Sequence, residues 1–289
     1  MLLKLQEKYG VPYLVFPSLE NTGLVRHAFS TRLGGCSTGD LATMNLSSTR
    51  GDDPKNVKEN FQRFGAAVGF DPKDLVLSLQ THTTNVRLVT EEDRGKGFTR
   101  PRDYKDVDGL ITNVPGLVLA TFYADCVPLY FVDPVHRAIG LSHSGWRGTV
   151  NRMGEVTLQR MKEAFGTRPS DVWTAIGPSI CQDCYEVSED VAQEFISAFE
   201  GRADNRLLYR KENGKYQLNL WRANELVLLE SGVPKDRIAV TDICTCCNPQ
   251  VLFSHRASKG KRGNQRQRGL AEGSGTCFGD YASSGLLPK

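Results

Sequence analysis

Hydrophobic and polar positions along the 289-residue chain alternate between strand-like and helix-like segments in no regular order. Short runs rich in β-branched and aromatic residues, separated by turn residues, predict strands. These runs lie at 24–31, 75–80, 86–89, 109–112, 117–123, 129–132, 138–142, 172–176 and 238–241. Six of them follow one another closely, which predicts a substantial sheet with hairpins.

Apolar residues at helical spacing predict four helices. The first begins at Asp53-Pro54, where the aspartate caps the helix and the proline occupies its first turn. The predicted helices cover 53–68, 149–165, 189–199 and 220–229. Strands followed by helices without regular alternation predict an α+β fold, one compact domain over residues 1–289 with a large mixed β-sheet core flanked by helices. We expect the patternless tail, residues 271–289, to be poorly ordered.

Composition narrows the class of protein. Charges at Lys4, Glu7 and Lys8 interrupt the N-terminal segment, so it lacks the apolar stretch of a secretory signal. The net charge is only +3, and the basic run Lys259–Arg268 contains no aromatic residues that could stack on bases. We therefore expect a cytoplasmic protein that binds neither membranes nor nucleic acid. In that reducing compartment the eight cysteines are thiols, available as metal ligands, nucleophiles or core residues.

Two of the five histidines and one cysteine lie at predicted strand ends. His82 follows the strand ending at Gln80, Cys126 lies between two apolar strands, and His143 ends a strand just before a helix. Three ligands of this type leave a fourth position for water or substrate, which is typical of catalytic zinc. Spacing alone also allows hydrogen-bonded core histidines and a small buried cysteine.

Longer motifs surround these residues. They are Gln80-Thr-His82, Asp108-Gly109, Ala124-Asp-Cys126-Val-Pro128, His143-Ser-Gly-Trp-Arg-Gly148, Gly177-Pro178 and Cys184-Tyr-Glu-Val187, with Thr31–Gly35 and Ser254–Arg256 as outer motifs. Together they resemble the YfiH/laccase-domain family over residues 24–270. Two departures are modest. Thr81 and Thr83 flank the first histidine where the family commonly has valine and a small residue, and Ser144 stands where the family has alanine.

The resemblance implies one zinc ion held by His82, Cys126 and His143, which are also the implied catalytic residues. It implies a purine nucleoside phosphorylase that cleaves adenosine, inosine and methylthioadenosine with phosphate, with adenosine deaminase activity as well. The implied partners are small molecules, purine nucleosides and phosphate. An older description of the family as copper polyphenol oxidases makes copper the alternative metal.

Four further residues are candidate substrate contacts. Arg147, at a helix N-terminus, and Arg32, beside a Gly-Gly turn, are candidate phosphate ligands, and surface ion pairs are the alternative for both. Gln80 lies two residues from His82 and is a candidate hydrogen-bond partner of the base or sugar. Asp125 either orients a ligand histidine or points to the opposite face of its strand.

Other uses of the same residues stay open. Cys126 and His143 could form a thiolate–imidazole pair for acyl transfer, and a zinc-stabilised interaction module would need four protein ligands. Copper oxidation of phenols is disfavoured by the small number of histidines. Cys181-x-x-Cys184 and Cys244-x-Cys246-Cys247 are either a second, structural zinc site or plain thiols.

Overall fold

The computed structural model describes residues 3–260 and the backbone of residues 275–281. The strands are β1 (Lys4–Lys8), β2 (Val11–Val15), β3 (Val25–Ser30), β4 (Leu75–Leu77), β5 (Val86–Leu88), β6 (Gly109–Thr112), β7 (Val118–Tyr123), β8 (Val127–Asp133), β9 (Ala138–Ser144), β10 (Trp173–Ile176), β11 (Glu186–Val187), β12 (Leu208–Arg210), β13 (Tyr216–Leu218), β14 (Ile238–Val240) and β15 (Gly275–Tyr281). The helices are α1 (Pro17–Glu20), α2 (Pro54–Val68), α3 (Trp146–Val150), α4 (Met153–Phe165), α5 (Glu189–Ala198) and α6 (Leu220–Glu230).

These strands form three sheets. The first has the order β1-β2-β3-β15-β7-β4, the second β14-β10-β8-β9-β6-β5, and a small third sheet β11-β13-β12. Both large sheets are mixed, because β4 runs parallel to β7, β5 to β6 and β10 to β14, whereas the other described pairs are antiparallel. The predicted α+β fold with a mixed-sheet core is confirmed, and that core is divided between two sheets.

The two large sheets pack face to face, and helices cover their outer faces. Phe61 and Phe64 of α2 lie in one apolar cluster with the first sheet, and Leu158 of α4 lies in another with the second sheet. Along β8, Phe131 faces the helices and Tyr130 faces the first sheet, as the two-residue period of a strand requires. Strands buried on both faces explain the continuous apolar runs in the sequence.

The predicted helix at 149–165 is wrong at its start. The chain becomes helical at Trp146 and forms α3, and Arg152 then adopts a left-handed conformation (φ 59°) that separates α3 from α4. A single arginine in this conformation carries no apolar signal, so the hydrophobic pattern cannot reveal it. By contrast, α2 begins as predicted, with the Asp53 carboxylate accepting a hydrogen bond from the Lys55 amide.

Part of the tail lies in the first sheet. The backbone of residues 275–281 forms β15, which pairs with β3 and β7. Residues 261–274, which include the greater part of the basic run, and residues 282–289 lie outside the described residues. None of the helices in the described part of the chain has the length and apolar character needed to cross a membrane.

The chain passes from the first sheet to the second at two places, and both bear on the site. Residues 78–85 connect β4 to β5, and residues 124–126 connect β7 to β8. Because β4 and β7 are parallel neighbours, both connections leave the first sheet at the same edge. The β8–β9 pairing sets Pro128 opposite His143, which returns the end of β9 to the neighbourhood of Cys126.

Candidate metal centre

The structure brings His82, Cys126 and His143 together at this edge. A ring nitrogen of each histidine and the Cys126 Sγ all lie within 4.8 Å of one another, and Cys126 Sγ is 4.0 Å from His82 Nε2. The two imidazole rings meet edge to face, with centroids 4.9 Å apart. Donors this close can share one ion at the usual bond lengths of about 2.0 Å to nitrogen and about 2.3 Å to sulfur. The donor set therefore fits a zinc ion.

Asp108 holds two of the three candidate ligands. Its buried carboxylate accepts a hydrogen bond of 2.8 Å from His143 Nδ1, which leaves Nε2 of that ring as the donor to a metal. The same carboxylate accepts hydrogen bonds from the backbone amides of Thr81, His82 and Thr83, at 3.0–3.1 Å. One side chain thus fixes the orientation of the His143 ring and the course of the loop that carries His82.

The His82 loop needs this support. His82 has a left-handed backbone conformation (φ 65°), which costs a non-glycine residue free energy. With the backbone turned in this way, three consecutive amides converge on the Asp108 carboxylate. Burial alone would raise the pKa of Asp108, but the hydrogen bonds from His143 and from the loop amides outweigh it and lower the pKa. The carboxylate is therefore ionised at neutral pH.

The thiol of Cys126 is also tuned by its neighbours. Burial would raise its pKa, but the facing imidazoles of His143 and His82 outweigh burial and lower the pKa to about 6. At His143, burial lowers the pKa, and the contacts with Cys126 and Asp108 outweigh it and raise the pKa to about 10. The thiolate, which is the form that binds metals, is therefore favoured at neutral pH.

Gly145 lies against all three candidate ligands. A Cβ atom added there would be 3.1 Å from Cys126 Sγ, 3.1 Å from His82 Cδ2 and 3.7 Å from His143 Cε1. The backbone of Gly145 is extended and free of the left-handed strain that would require glycine. The glycine is therefore needed for the space that it leaves beside the ligands.

Comparison with known proteins identifies the family. Residues 26–268 match the family described as "Multi-copper polyphenol oxidoreductase laccase", which agrees with the motif-bearing range 24–270 predicted from the sequence. The chain belongs to this family.

Relatives in the laccase family are named as enzymes of purine nucleosides. "Purine nucleoside phosphorylase YlmD" of Bacillus subtilis (strain 168) is 36% identical over 248 residues, covering 84% of this chain and 87% of the relative. "Adenosine deaminase RL5", from an unknown prokaryotic organism, is 33% identical, covering 79% of this chain and 87% of the relative. The crystal structure of YlmD from Geobacillus stearothermophilus is 31% identical, with a TM-score of 0.84 and coverage of 97% and 98%. The chain is accordingly an enzyme that shares the fold of these relatives.

The departures from the laccase-family motifs leave the three candidate ligands in place. Thr83 Oγ1 donates a 3.1 Å hydrogen bond to Asp108, and Thr81 Oγ1 donates to Asp106. Ser144, next to His143 in β9, points to the other side of the strand, where its hydroxyl donates to Asn224 of α6. The threonines therefore reinforce the His82 loop, and the serine packs away from the centre.

The carboxylate of Asp125 makes no described hydrogen bond with a ligand histidine. It accepts hydrogen bonds of 2.7 Å from the Thr245 hydroxyl and from the Arg256 amide. The contact with a ligand histidine belongs instead to Asp108, which is part of the Asp108-Gly109 motif and had no predicted role. The available signal was an aspartate directly before the strand-like run Gly-Leu-Ile-Thr, since an unpaired charge beside a buried strand would be costly.

The side chains of the other three candidate substrate contacts differ in their exposure and in the hydrogen bonds that they already make. Gln80 is buried, and its amide group is paired with the backbone of Phe122 at 2.7–2.8 Å. The Arg32 guanidinium donates to the carbonyl oxygens of Ala42 and Pro249 and so ties two loops together. Arg147 is exposed, with its guanidinium 4.3 Å from the centre of the Trp146 ring. Of the three, Arg147 is the one that the structure leaves most accessible.

Enlarging Gly145 tests the space beside the ligands. We expect Gly145→Ala to lower zinc affinity at least tenfold, because the new methyl group crowds both Cys126 and His82. Gly148→Ala is the matched control, since its Cβ would meet its nearest atom at an ordinary 3.4 Å. Competition with a zinc-binding dye measures both affinities. Equal affinities in the two variants would show that Gly145 does not border a metal.

Neutralising Asp108 tests its hold on the two histidines. We expect Asp108→Asn to weaken zinc binding about 10–100-fold, because the amide NH₂ group meets N–H donors where the carboxylate accepted them. Asp106→Asn is the control, since Asp106 accepts a hydrogen bond from Thr81 in the same loop but contacts neither histidine in the described hydrogen bonds. Zinc titration of both folded variants decides the matter. Unchanged zinc affinity in Asp108→Asn would show that Asp108 does not support the metal ligands.

Proposed function

We propose that the chain is a zinc-dependent purine nucleoside phosphorylase with adenosine deaminase activity, and that His82, Cys126 and His143 hold the zinc ion. The observation that carries the proposal is the convergence of these three donor atoms within 4.8 Å. The names and coverage of the relatives support the substrate class. Adenosine, inosine and methylthioadenosine are the proposed nucleosides, and phosphate is the second substrate.

The proposed centre divides its work among several residues. Zinc would supply a Lewis acid and a bound water of lowered pKa, which is the nucleophile that deamination needs. Asp108 keeps a proton on His143 Nδ1 and so keeps Nε2 available. Gly145 leaves room beside the ligands for a reactant.

Phosphorolysis also needs a cation that binds phosphate. We assign this part to Arg147, because it is exposed and directly follows Trp146, two residues from the Gly145 that borders the ligands. A guanidinium group matches the geometry of phosphate through two parallel hydrogen bonds. Arg32 is the weaker candidate, because its guanidinium already donates to two backbone carbonyl groups.

A cysteine hydrolase is the second candidate function, and one observation favours it. Cys126, His143 and Asp108 lie in the order of a nucleophile, a base and a residue that orients the base, and the pKa of the thiol is lowered. That mechanism gives no part to His82, whose ring nitrogen also faces the thiol. Zinc dependence separates the two functions, because chelation abolishes the first and spares the second.

The activity itself is the first test. We expect the purified enzyme to convert adenosine to adenine and ribose 1-phosphate only when phosphate is present, and a chelator to abolish the reaction until zinc is restored. His143→Ala should remove activity because it removes a ligand. His136→Ala is the matched control, since its ring also pairs with an aspartate, Asp133, at 2.8 Å but lies outside the cluster.

Chromatographic quantification of both products gives the answer. Full activity in His143→Ala, or activity that persists after zinc removal, contradicts the proposed centre. Oxygen consumption with phenols by the copper-loaded enzyme, without nucleoside cleavage by the zinc-loaded enzyme, would favour the copper alternative instead.

Replacing Arg147 tests the phosphate site. We expect Arg147→Ala to raise the KM for phosphate about tenfold, a loss of about 1.4 kcal/mol, while the KM for adenosine changes little. Arg160→Ala is the control, because Arg160 is a partly exposed arginine of α4 that pairs with Glu163. Steady-state kinetics with each substrate varied in turn separates the two constants. An unchanged phosphate KM in Arg147→Ala would exclude this arginine as the phosphate ligand.

A further inference from the structure

A separate cluster of four thiols lies in the loops that follow β10 and β14. Cys181 and Cys184 follow β10, and Cys244 and Cys247 follow β14. Strands β10 and β14 are parallel neighbours in which Ile176 pairs with Val240, so the two Cys-x-x-Cys segments leave the second sheet at the same edge. An isolated bridge between Ser179 and Cys244 extends this pairing into the loops. The fold therefore sets the two segments side by side.

The four sulfur atoms lie at distances suited to one shared ion. All four Sγ atoms are within 4.8 Å of one another, and Cys184 Sγ is 3.4 Å from Cys247 Sγ. In a tetrahedral zinc site with bonds of about 2.3 Å, neighbouring sulfur atoms are about 3.8 Å apart. The seven cysteines of the described residues are free thiols. The group is thus arranged as ligands around a common centre.

Backbone amides point at one of these sulfur atoms. The amides of Cys181 and Cys247 donate to Cys244 Sγ at 3.3 and 3.4 Å. Hydrogen bonds of this kind stabilise the negative charge of a thiolate, and a metal ion held by four thiolates needs such support. Cys246 lies within the second segment but outside the group of four.

We propose that Cys181, Cys184, Cys244 and Cys247 bind one zinc ion in a closed, structural site. An all-thiolate tetrahedral set binds zinc or iron among the common metals, and four protein ligands leave no open position for a substrate. The site is separate from the His82 centre and shares no ligand with it.

The same loops hold the residue next to Cys126. Thr245, between the cysteines of the second segment, donates a 2.7 Å hydrogen bond to Asp125, and the Ile180 amide donates to the Asp125 carbonyl oxygen. Arg256 links the other side, because its amide donates to Asp125 and its guanidinium donates to the Cys184 carbonyl oxygen. The zinc ion therefore braces both segments that position Asp125, and through it Cys126.

Metal analysis of the full chain, purified under reducing conditions, tests the site. We expect Cys247→Ser to lose one equivalent of zinc relative to the parent protein. Cys246→Ser is the matched control and should lose none. Cys126→Ala should retain the zinc of the four-cysteine site, because that site does not use Cys126. Failure of the proposed nucleoside activity leaves this last result unaffected, so the two proposals fail separately.

Cobalt substitution in the Cys126→Ala background decides the outcome even if Cys247→Ser does not fold. A tetrahedral site with four thiolates gives an intense sulfur-to-cobalt charge-transfer spectrum, and zinc displaces the cobalt with loss of that spectrum. Mass spectrometry of the alkylated chain reports the state of the thiols. Disulfides in place of bound metal, iron in place of zinc, or a Cys126→Ala protein that binds neither zinc nor cobalt would overturn the proposal.

Discussion

The contacts of the Asp108 carboxylate are the interaction on which the candidate centre depends. One buried side chain accepts the Nδ1 proton of His143 and the amides of three consecutive residues around His82. A buried carboxylate is stable only if such donors surround it, and here the donors belong to the residues that it positions. The same hydrogen bonds therefore compensate the buried charge of Asp108 and fix the geometry of the two histidines.

The fold explains why these residues meet. Two mixed sheets packed face to face require the chain to cross between them, and His82 and Cys126 lie on two such crossings that leave the same sheet edge. These crossings carry left-handed residues, His82 and Asp125, whose conformational cost is offset by the hydrogen bonds of Asp108 and Thr245. A glycine, Gly145, then leaves the space that a side chain would fill. The two packed sheets thus form the framework, and the loops that connect them carry the candidate ligands.

Much of this arrangement could be predicted from the sequence. Apolar periodicity located α2, α5, α6 and most strands of the two large sheets, because buried strands and amphipathic helices have strong local patterns. The strands β1, β2, β11, β12, β13 and β15 were not predicted. β1 is mostly exposed and β11 to β13 have only two or three residues each, whereas β2 is largely buried but contains Pro12, which is unusual within a strand. The division into two sheets depends on pairings between distant segments, to which local patterns are insensitive.

Prediction of the candidate site from the sequence has the same limit. His82, Cys126 and His143 could be proposed from strand ends and motifs, but the contact between Asp108 and His143 spans 35 positions and is set by the β6–β9 pairing. Likewise, the sequence alone does not distinguish Cys246 from Cys247 as the fourth candidate metal ligand beside Cys181, Cys184 and Cys244. In the structure Cys247, and not Cys246, belongs to the group of four whose Sγ atoms all lie within 4.8 Å of one another.

Anomalous diffraction at the zinc absorption edge, from crystals of catalytically active enzyme, would locate the metal and its ligands. We expect an ion bonded to nitrogen atoms of His82 and His143 at about 2.0–2.1 Å and to Cys126 Sγ at about 2.3 Å, with the fourth position taken by a non-protein ligand. Active enzyme without anomalous signal among these three residues, or with the fourth position closed by a protein side chain, would contradict this expectation.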